Sequence, residues 1–339
     1  KESGYNVMLM SHPHSKLFEK AGTRIDRKFS VRISNLSFLN PLKIRKLYNL
    51  FRRQGVRMII INLSSDLKVA GIAAKLAGVQ SIIYRRGSAL PIRNSFLNRF
   101  LYRRVVTRII ANSEETKRTI LARNPKLVPE EKIRIIYNGL DLEYFDKLPL
   151  NGTFEGTEGT IVLGNAGRIS REKGHVFLLN LAKRLKEKNY PFKMIIAGEG
   201  KLRHKLEKEA ISMNLEDEVK FLGFLNDVKS FHHKLDIFIL TSLYEGFGYV
   251  LVEAMASKKP IVAFDIRSSS EIVRNGESGY LVDIADTNQL FDRVEELIKN
   301  KALRKEMGEA GRKIVEEKFT FEISMKKILE LIEHELNLS

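Results

Sequence analysis

The chain has 339 residues, 43% hydrophobic and 29% charged, with no cysteine and a mean hydropathy of −0.20. That composition suits a globular protein with chain enough for two cores, and it excludes a disulfide scaffold, a thiolate metal site and a cysteine nucleophile. Fifty-eight Lys and Arg against 41 Asp and Glu give +17, but residues 1–150 hold 29 basic and 11 acidic (net +18), leaving 29 and 30 for the rest (net −1). Basicity confined to one half points to a polyanion or an anionic surface as the partner of that half. No apolar run approaches the length needed to span a bilayer.

In chain order, Lys1-Glu2-Ser3-Gly4-Tyr5 reads as the polar end of a helix that runs straight into a strand at 7–10. An α/β domain has a strand and a helix before such a point, so about 20–30 residues are expected ahead of Lys1 by usual element lengths. Strands follow at 29–33, 58–62, 81–84, 108–111 and 133–137, with helical periodicity over 42–54, 67–76, 96–104 and 114–122. Short β-branched runs alternating with amphipathic helices predict a parallel, doubly wound sheet. The Gly- and Thr-rich stretch 150–159 has no periodicity and reads as a linker. Beyond it, strands at 160–165, 193–197, 219–221, 237–241, 260–264 and 279–282 alternate with helices at 175–188, 202–213, 249–257 and 287–299. Two long helices with i, i+4 Glu/Lys pairs, 302–319 and 321–336, come last. The expected division is 1–152, 153–318 and a final helix in 319–339 that crosses back to the first domain. Ligands of open α/β sheets bind beyond the carboxyl ends of the strands, so the expected site is the cleft between two such domains.

Two segments carry the chemistry. In Gly164-Asn165-Ala166-Gly167-Arg168 with Lys173-Gly174, a glycine turn between strand and helix admits an anion, and Arg168 and Lys173 can hold phosphate oxygens from two sides. The plainer reading is a tight turn with two solvated cations, since such turns are common. In the second, 241–255, Gly246 and Gly248 free backbone amides at a helix N-terminus, where the dipole favours a diphosphate. Glu245 and Glu253 are pure acceptors when ionised and suit sugar hydroxyls. The alternative for Glu253, pairing with a surface cation, is weakened by its neighbours Val250, Leu251, Val252 and Met255. A carboxylate on an apolar helix needs a partner.

The Glu245…Glu253 pair around Gly246-Phe247-Gly248 resembles the signature of the family-four retaining glycosyltransferases of GT-B fold, two Rossmann-like parallel-sheet α/β domains facing a cleft. Arg168…Lys173, Gly198-Glu199-Gly200, Phe221-Leu222-Gly223-Phe224, Ser113-Glu114 and Asn138-Gly139-Leu140-Asp141 are similar to the same family. The likeness runs along nearly the whole chain and is densest over 130–285. It implies that Glu253 binds the ribose of a nucleotide-sugar donor, that Glu245 binds the transferred sugar, and that amides around Phe247, Gly248 and Tyr249 hold sugar and diphosphate. It implies that Arg168 and Lys173, beside Gly167, neutralise the departing phosphate, and that Gly198, Phe224 and Leu225 line the donor. No metal and no cofactor is then needed, because the two cations do the metal's electrostatic work. The implied enzyme is a retaining, metal-independent hexosyltransferase that uses a UDP-sugar, with GDP-mannose as the alternative. Its implied acceptor is a glycolipid, a lipopolysaccharide core or a surface polysaccharide.

Two features depart from that pattern. Many relatives carry a His after the fourth strand of the first domain; here the stretch is Ile83-Tyr84-Arg85-Arg86-Gly87-Ser88. Arg86 takes the His position with Arg85 beside it, and a contact with an anionic acceptor or the diphosphate is expected. The glycine loop that follows the first strand in relatives would fall ahead of Lys1. His12-Pro13-His14 has a metal-like spacing but no carboxylate nearby, so solvated imidazoles are the better reading. His175, His232 and His233 read as surface or packing residues.

The stretches 42–53 and 96–104 interleave Lys and Arg with Leu, Phe and Tyr, as interfacial membrane helices do. The competing reading is a core-facing helix with a solvated basic face. A cytoplasmic enzyme, peripheral on the inner face of the cell membrane, is expected. The rival from another class is a basic module binding nucleic acid or another polyanion, but no base-reading element is recognisable and no nucleic acid is expected. The rival among enzymes is a GT-B epimerase, disfavoured by the Glu245…Glu253 spacing.

Overall fold

Continuous β-branched runs become strands buried on both faces, the usual arrangement for parallel sheets covered by helices. The computed structural model describes residues 4–21, 25, 27–150 and 159–337; residues 151–158, most of the expected linker, lie outside them. In the first half, β1 (Met8–Ser11) pairs with β2 (Arg27–Ser30), and β3 (Met58–Ile61), β4 (Ser81–Arg86), β5 (Arg108–Ala111) and β6 (Ile133–Ile135) form a four-stranded sheet in that order. In the second half, β7 (Ile161–Ala166), β8 (Phe192–Ala197), β9 (Val219–Gly223), β10 (Ile237–Leu240), β11 (Ile261–Phe264) and β12 (Gly279–Val282) form a six-stranded sheet ordered β12-β11-β10-β7-β8-β9. Every pairing is parallel. These are two parallel-sheet α/β domains.

The strand order reverses between β7 and β10, which pair through Leu163 with Ile237 and Gly164 with Phe238. Two side chains knit this seam. Asn165 Nδ2 donates to the Ile239 carbonyl at 2.7 Å, and Asp236 Oδ2 accepts the Val162 amide at 2.8 Å. All four residues of β10 and of β11 are buried, each large apolar side chain contributing about 1.5–3 kcal/mol.

The first half differs from the expected single sheet. Strand 29–33 moves to 27–30, and β1 and β2 stand as a separate pair whose residues are exposed or only partly buried; Met10, Val31 and Ile33 reach just the margin of the core. The helices 64–76 and 96–105 each contain a π turn, Leu67–Gly71 and Leu101–Val105. The two turns pack together, with Gly71 against Val105.

The last helix, Phe321–Asn337, packs across the first sheet. Leu331 lies among Ile83, Ile110 and Ile136, Ser324 Oγ donates to the Tyr137 carbonyl at 2.8 Å, and buried Glu335 pairs with Arg108 at 2.8 Å. Backbone bonds from the Leu140 amide to the Phe319 carbonyl (2.8 Å) and from the Phe321 amide to the Leu140 carbonyl (2.9 Å) fasten its start. Among the described residues, no helix is long and apolar enough to cross a membrane.

Candidate functional site

Four loops leave the carboxyl ends of β7 to β10 beside the seam where strand order reverses, the place where open α/β sheets bind ligands. Backbone bonds hold these loops side by side. The Gly167 amide donates to the Ala197 carbonyl (2.9 Å), Gly198 to Gly223 (2.7 Å), Ile169 to Glu199 (2.9 Å) and Leu243 to Glu172 (2.8 Å). Thr241 Oγ1 donates to the Gly174 carbonyl at 3.0 Å. This scaffold sets Lys173 against Glu245, and the largely buried ammonium and carboxylate form an ion pair. Ser242 Oγ adds a bond to the same Glu245 oxygen at 3.3 Å.

Gly248, at φ 77°, caps the helix Tyr249–Ala256 without a side-chain bond. That left-handed conformation favours glycine. The amides of Gly246, Phe247 and Gly248 have no acceptor among the described residues, so the positive end of this helix is left without a partner for its donors. One turn into the helix, the Glu253 carboxyl has no hydrogen-bond or ion-pair partner among the described residues, and burial pushes its pKa up to about 7. The Tyr249 hydroxyl is pushed up to about 12, by burial first and then by the Glu253 charge.

The first domain closes over this loop. Ser113 Oγ donates to the Gly246 carbonyl, and Thr116 Oγ1 reaches the same oxygen at 3.3 Å. The Gly87 carbonyl lies so close that a Cβ at position 246 would overlap it. Glu271, at the end of the short helix Arg267–Ser270 that follows β11, crosses the other way. Its carboxylate accepts the Glu114 amide at 2.8 Å and the Glu115 amide at 3.0 Å, the N-terminus of the helix Glu114–Leu121, where a negative charge is favoured. Burial raises the Glu271 pKa, and the two amide bonds pull it partly back. Tyr137 is pushed up to about 12 by burial and by the facing Glu271 and Glu114 carboxylates. Its ring stacks on Phe247 (centroids 5.7 Å apart) and meets Phe319 edge-on (5.4 Å).

The family model for glycosyl transferases group 1 matches residues 154–314, and that for glycosyltransferase family 4 matches residues 1–144. The chain belongs to glycosyltransferase family 4. A capsular polysaccharide biosynthesis glycosyltransferase, CapM of Staphylococcus aureus, is 30% identical over 66% of the chain. The chain spans 60% of CapM and 62% of a second relative, the EpsF glycosyltransferase of Bacillus subtilis. A UDP-Gal:alpha-D-GlcNAc-diphosphoundecaprenol alpha-1,3-galactosyltransferase of Escherichia coli is 26% identical over 83% of the chain and 76% of its own length. The crystal structure of Anabaena HepE with UDP and glucose superposes with a TM-score of 0.81 at 20% identity, over 96% of this chain and 91% of that one. The fold is GT-B.

Within this family 4 chain, the residues singled out from sequence fall into two groups. Gly167, Lys173, Gly198, Glu245, Gly246, Gly248 and Glu253 lie on the four converging loops or the helix that leaves them. Arg168 stands exposed on the same edge with no acceptor for its guanidinium among the described residues. The rest differ. The Phe247 ring is buried in the core, leaving only its amide for a ligand. The Tyr249 hydroxyl bonds to the Gly139 carbonyl at 3.3 Å. Phe224 is exposed with the Lys16 ammonium 5.6 Å from its ring, and Leu225 packs half-buried against the core. Arg85 Nη2 donates to Asn138 Oδ1 at 2.8 Å. Arg86 is buried, bonds to the Leu90 carbonyl, and lies against Tyr102. His175 and His232, expected at surface or packing positions, are fully packed inside; burial pushes them down to about 4 and about 3, so they stay neutral. Sequence reasoning reaches Ser113 only within a motif, and it misses Thr116 and Glu271.

Proposed function

We propose that this chain transfers a hexose or N-acetylhexosamine from a UDP-sugar to a membrane-linked anionic glycan, with retention of anomeric configuration and without a metal. The observation that carries the reading is the Glu253 carboxyl, without a partner among the described residues, one turn behind three amides that likewise lack an acceptor there, beside the Lys173–Glu245 pair. Glu253 accepts the ribose hydroxyls. The amides of Gly246, Phe247 and Gly248 take diphosphate and sugar oxygens, and Glu245 turns from Lys173 to the sugar hydroxyls. Lys173 and Arg168 are then free to stabilise the β-phosphate. In the transfer step, the bond from the anomeric carbon to the β-phosphate oxygen breaks as the acceptor oxygen bonds to the same face. The acceptor proton passes to the leaving phosphate oxygen, and UDP departs. The donor and acceptor for which the E. coli relative is named, and the UDP held by HepE, support a UDP-sugar and a lipid-linked acceptor. The net +18 of residues 1–150 supports an anionic acceptor met at the inner face of the cell membrane.

Calorimetry against UDP, GDP, ADP and TDP, with and without chelator, tests the donor. UDP binding that survives chelator and falls in Arg168→Ala is expected. Preference for another nucleotide overturns the donor assignment, and no nucleotide binding overturns the reading.

A further inference from the structure

The crossing helix shelters a cavity that the transfer chemistry does not use. It measures about 360 Å³ and lies between the helix Phe321–Asn337 and β6. Residue spacing builds one wall. Counted from Lys327, Glu330, Leu331 and His334 stand three, four and seven positions on, so all four share one face of the helix. Leu331, in the middle of that stripe, is held among Ile83, Ile110 and Ile136, and the polar members wall the cavity on either side of it. The opposite wall is the margin of the sheet. There β6 is the last strand, and it contributes Arg134, Ile135 and Ile136. The Ile136 amide is spent on the Ala111 carbonyl at 2.9 Å, so strand alternation turns the Ile135 amide outward, away from β5.

The charges around this cavity are unspent. Arg134, Lys327 and Glu330 have no hydrogen-bond or ion-pair partner among the described residues, although Lys327 and Glu330 are helix neighbours of opposite sign. Similar neighbours elsewhere do pair, Arg312 with Glu316 at 2.7 Å and Lys299 with Glu295 at 2.9 Å. Two cations on facing walls match a doubly charged oxyanion. A guanidinium fork takes two phosphate oxygens and an ammonium takes a third, whereas a lone carboxylate would satisfy one cation and leave the other. Glu330, a pure acceptor when ionised, suits hydroxyl groups, and Leu331 and Ile136 supply an apolar floor. The volume is that of a compact small-molecule pocket, near the low end of about 300–1,000 Å³. An added peptide strand fits poorly, because β6 is only three residues long and short edge strands resist such pairing.

We propose that this cavity binds a small hydroxylated organic phosphate, of the sugar-phosphate class, with Arg134 and Lys327 on the phosphate and Glu330 on the hydroxyls. The bound molecule ties β6 to the crossing helix, whose start is itself fastened to Leu140. It thus braces the join between the two domains from outside the cleft. No residue of the donor loops lines the cavity, so the binding stands independently of the transfer reading.

Calorimetry with glucose 6-phosphate, inorganic phosphate and glucose, each with and without saturating UDP, tests the site. Glucose 6-phosphate is expected to bind whether or not UDP is present, inorganic phosphate about tenfold more weakly, and glucose not at all. Arg134→Gln and Lys327→Gln should each weaken glucose 6-phosphate about tenfold while keeping the wild-type melting temperature and UDP affinity. Hydrogen exchange should slow on binding at the amides of 133–136 and 327–334. No binding of either phosphate, equal binding of glucose, or unchanged affinity in both variants overturns the proposal. A glucose 6-phosphate signal that UDP or Arg168→Ala abolishes places the anion in the donor loops and overturns it as well. Failure of the wild type to bind any nucleotide would sink the transferase reading and leave this result standing.

Discussion

In the six-stranded sheet the strand order reverses between β7 and β10, and each loop that lines the candidate site leaves a strand near that seam. The strands β3 to β6 run in sequence, with no reversal among them. The second domain therefore makes a binding site from its own loops, tied by its own backbone bonds. The first domain adds groups that touch those loops from outside: the Gly87 carbonyl, the Ser113 and Thr116 hydroxyls, and the N-terminus of Glu114–Leu121. On the proposed function, one half holds the nucleotide, and the other governs whether a held donor reacts. Turnover and nucleotide affinity should accordingly separate.

The sharpest separation is expected at Glu245. Glu245→Ala removes the proposed sugar acceptor and should lower turnover about 10³-fold with UDP affinity nearly unchanged in calorimetry; unchanged turnover would sink the sugar contact. Gly246→Ala tests the contact between domains. Its methyl group meets the Gly87 carbonyl, so turnover should drop about 10²-fold through lost alignment, again with UDP binding retained. A parallel loss of UDP affinity there would break the division of labour. Glu271→Gln keeps the shape but weakens the charge-assisted bonds to Glu114 and Glu115, and should lower kcat about tenfold in a steady-state assay. It should leave the nucleotide titration alone.

Glu253→Gln probes the opposite side of the comparison, with a loss of about fivefold in UDP affinity and a smaller effect on the step that follows. Its pH dependence carries a definite sign. Ribose hydroxyls donate to the ionised carboxylate, and burial holds the free carboxyl near 7, so wild-type affinity should weaken as pH falls below about 7, with a proton released on binding. For stability the raised pKa works in reverse. The folded chain keeps a proton that the unfolded chain gives up, so this group's contribution declines as pH rises from the ordinary glutamate range to about 7. The Gln variant should gain melting temperature over wild type across that window and hold the gain above it. A variant that melts lower at pH 8 would mean that Glu253 has a partner in the free protein.

The strands were legible because β10 and β11 are unbroken apolar runs, and the donor loops because glycines punctuate them at strand ends. The pairing of Lys173 with Glu245 was not legible, since 72 residues separate them and only the β7–β10 seam makes them neighbours. The burial of Arg86 was not legible either, since a charged residue at a strand end reads as exposed and only the Leu90 carbonyl shows where it bonds. Glu271 escaped notice because its partners are backbone amides, which leave no trace in side-chain patterns. The π turns at 67–71 and 101–105 escaped because an added residue per turn scarcely disturbs a helical periodicity.

The aromatic cluster of Tyr137, Phe247 and Phe319 joins the end of the first domain, the sugar loop and the start of the crossing helix. Three separate segments meeting at one packed point make a pivot. Rotation about it swings distant loops widely, but Gly246, adjacent in sequence to a pivot ring, travels only a short arc. The Ser113 bond to the Gly246 carbonyl therefore sits where the lever arm between the two halves is shortest.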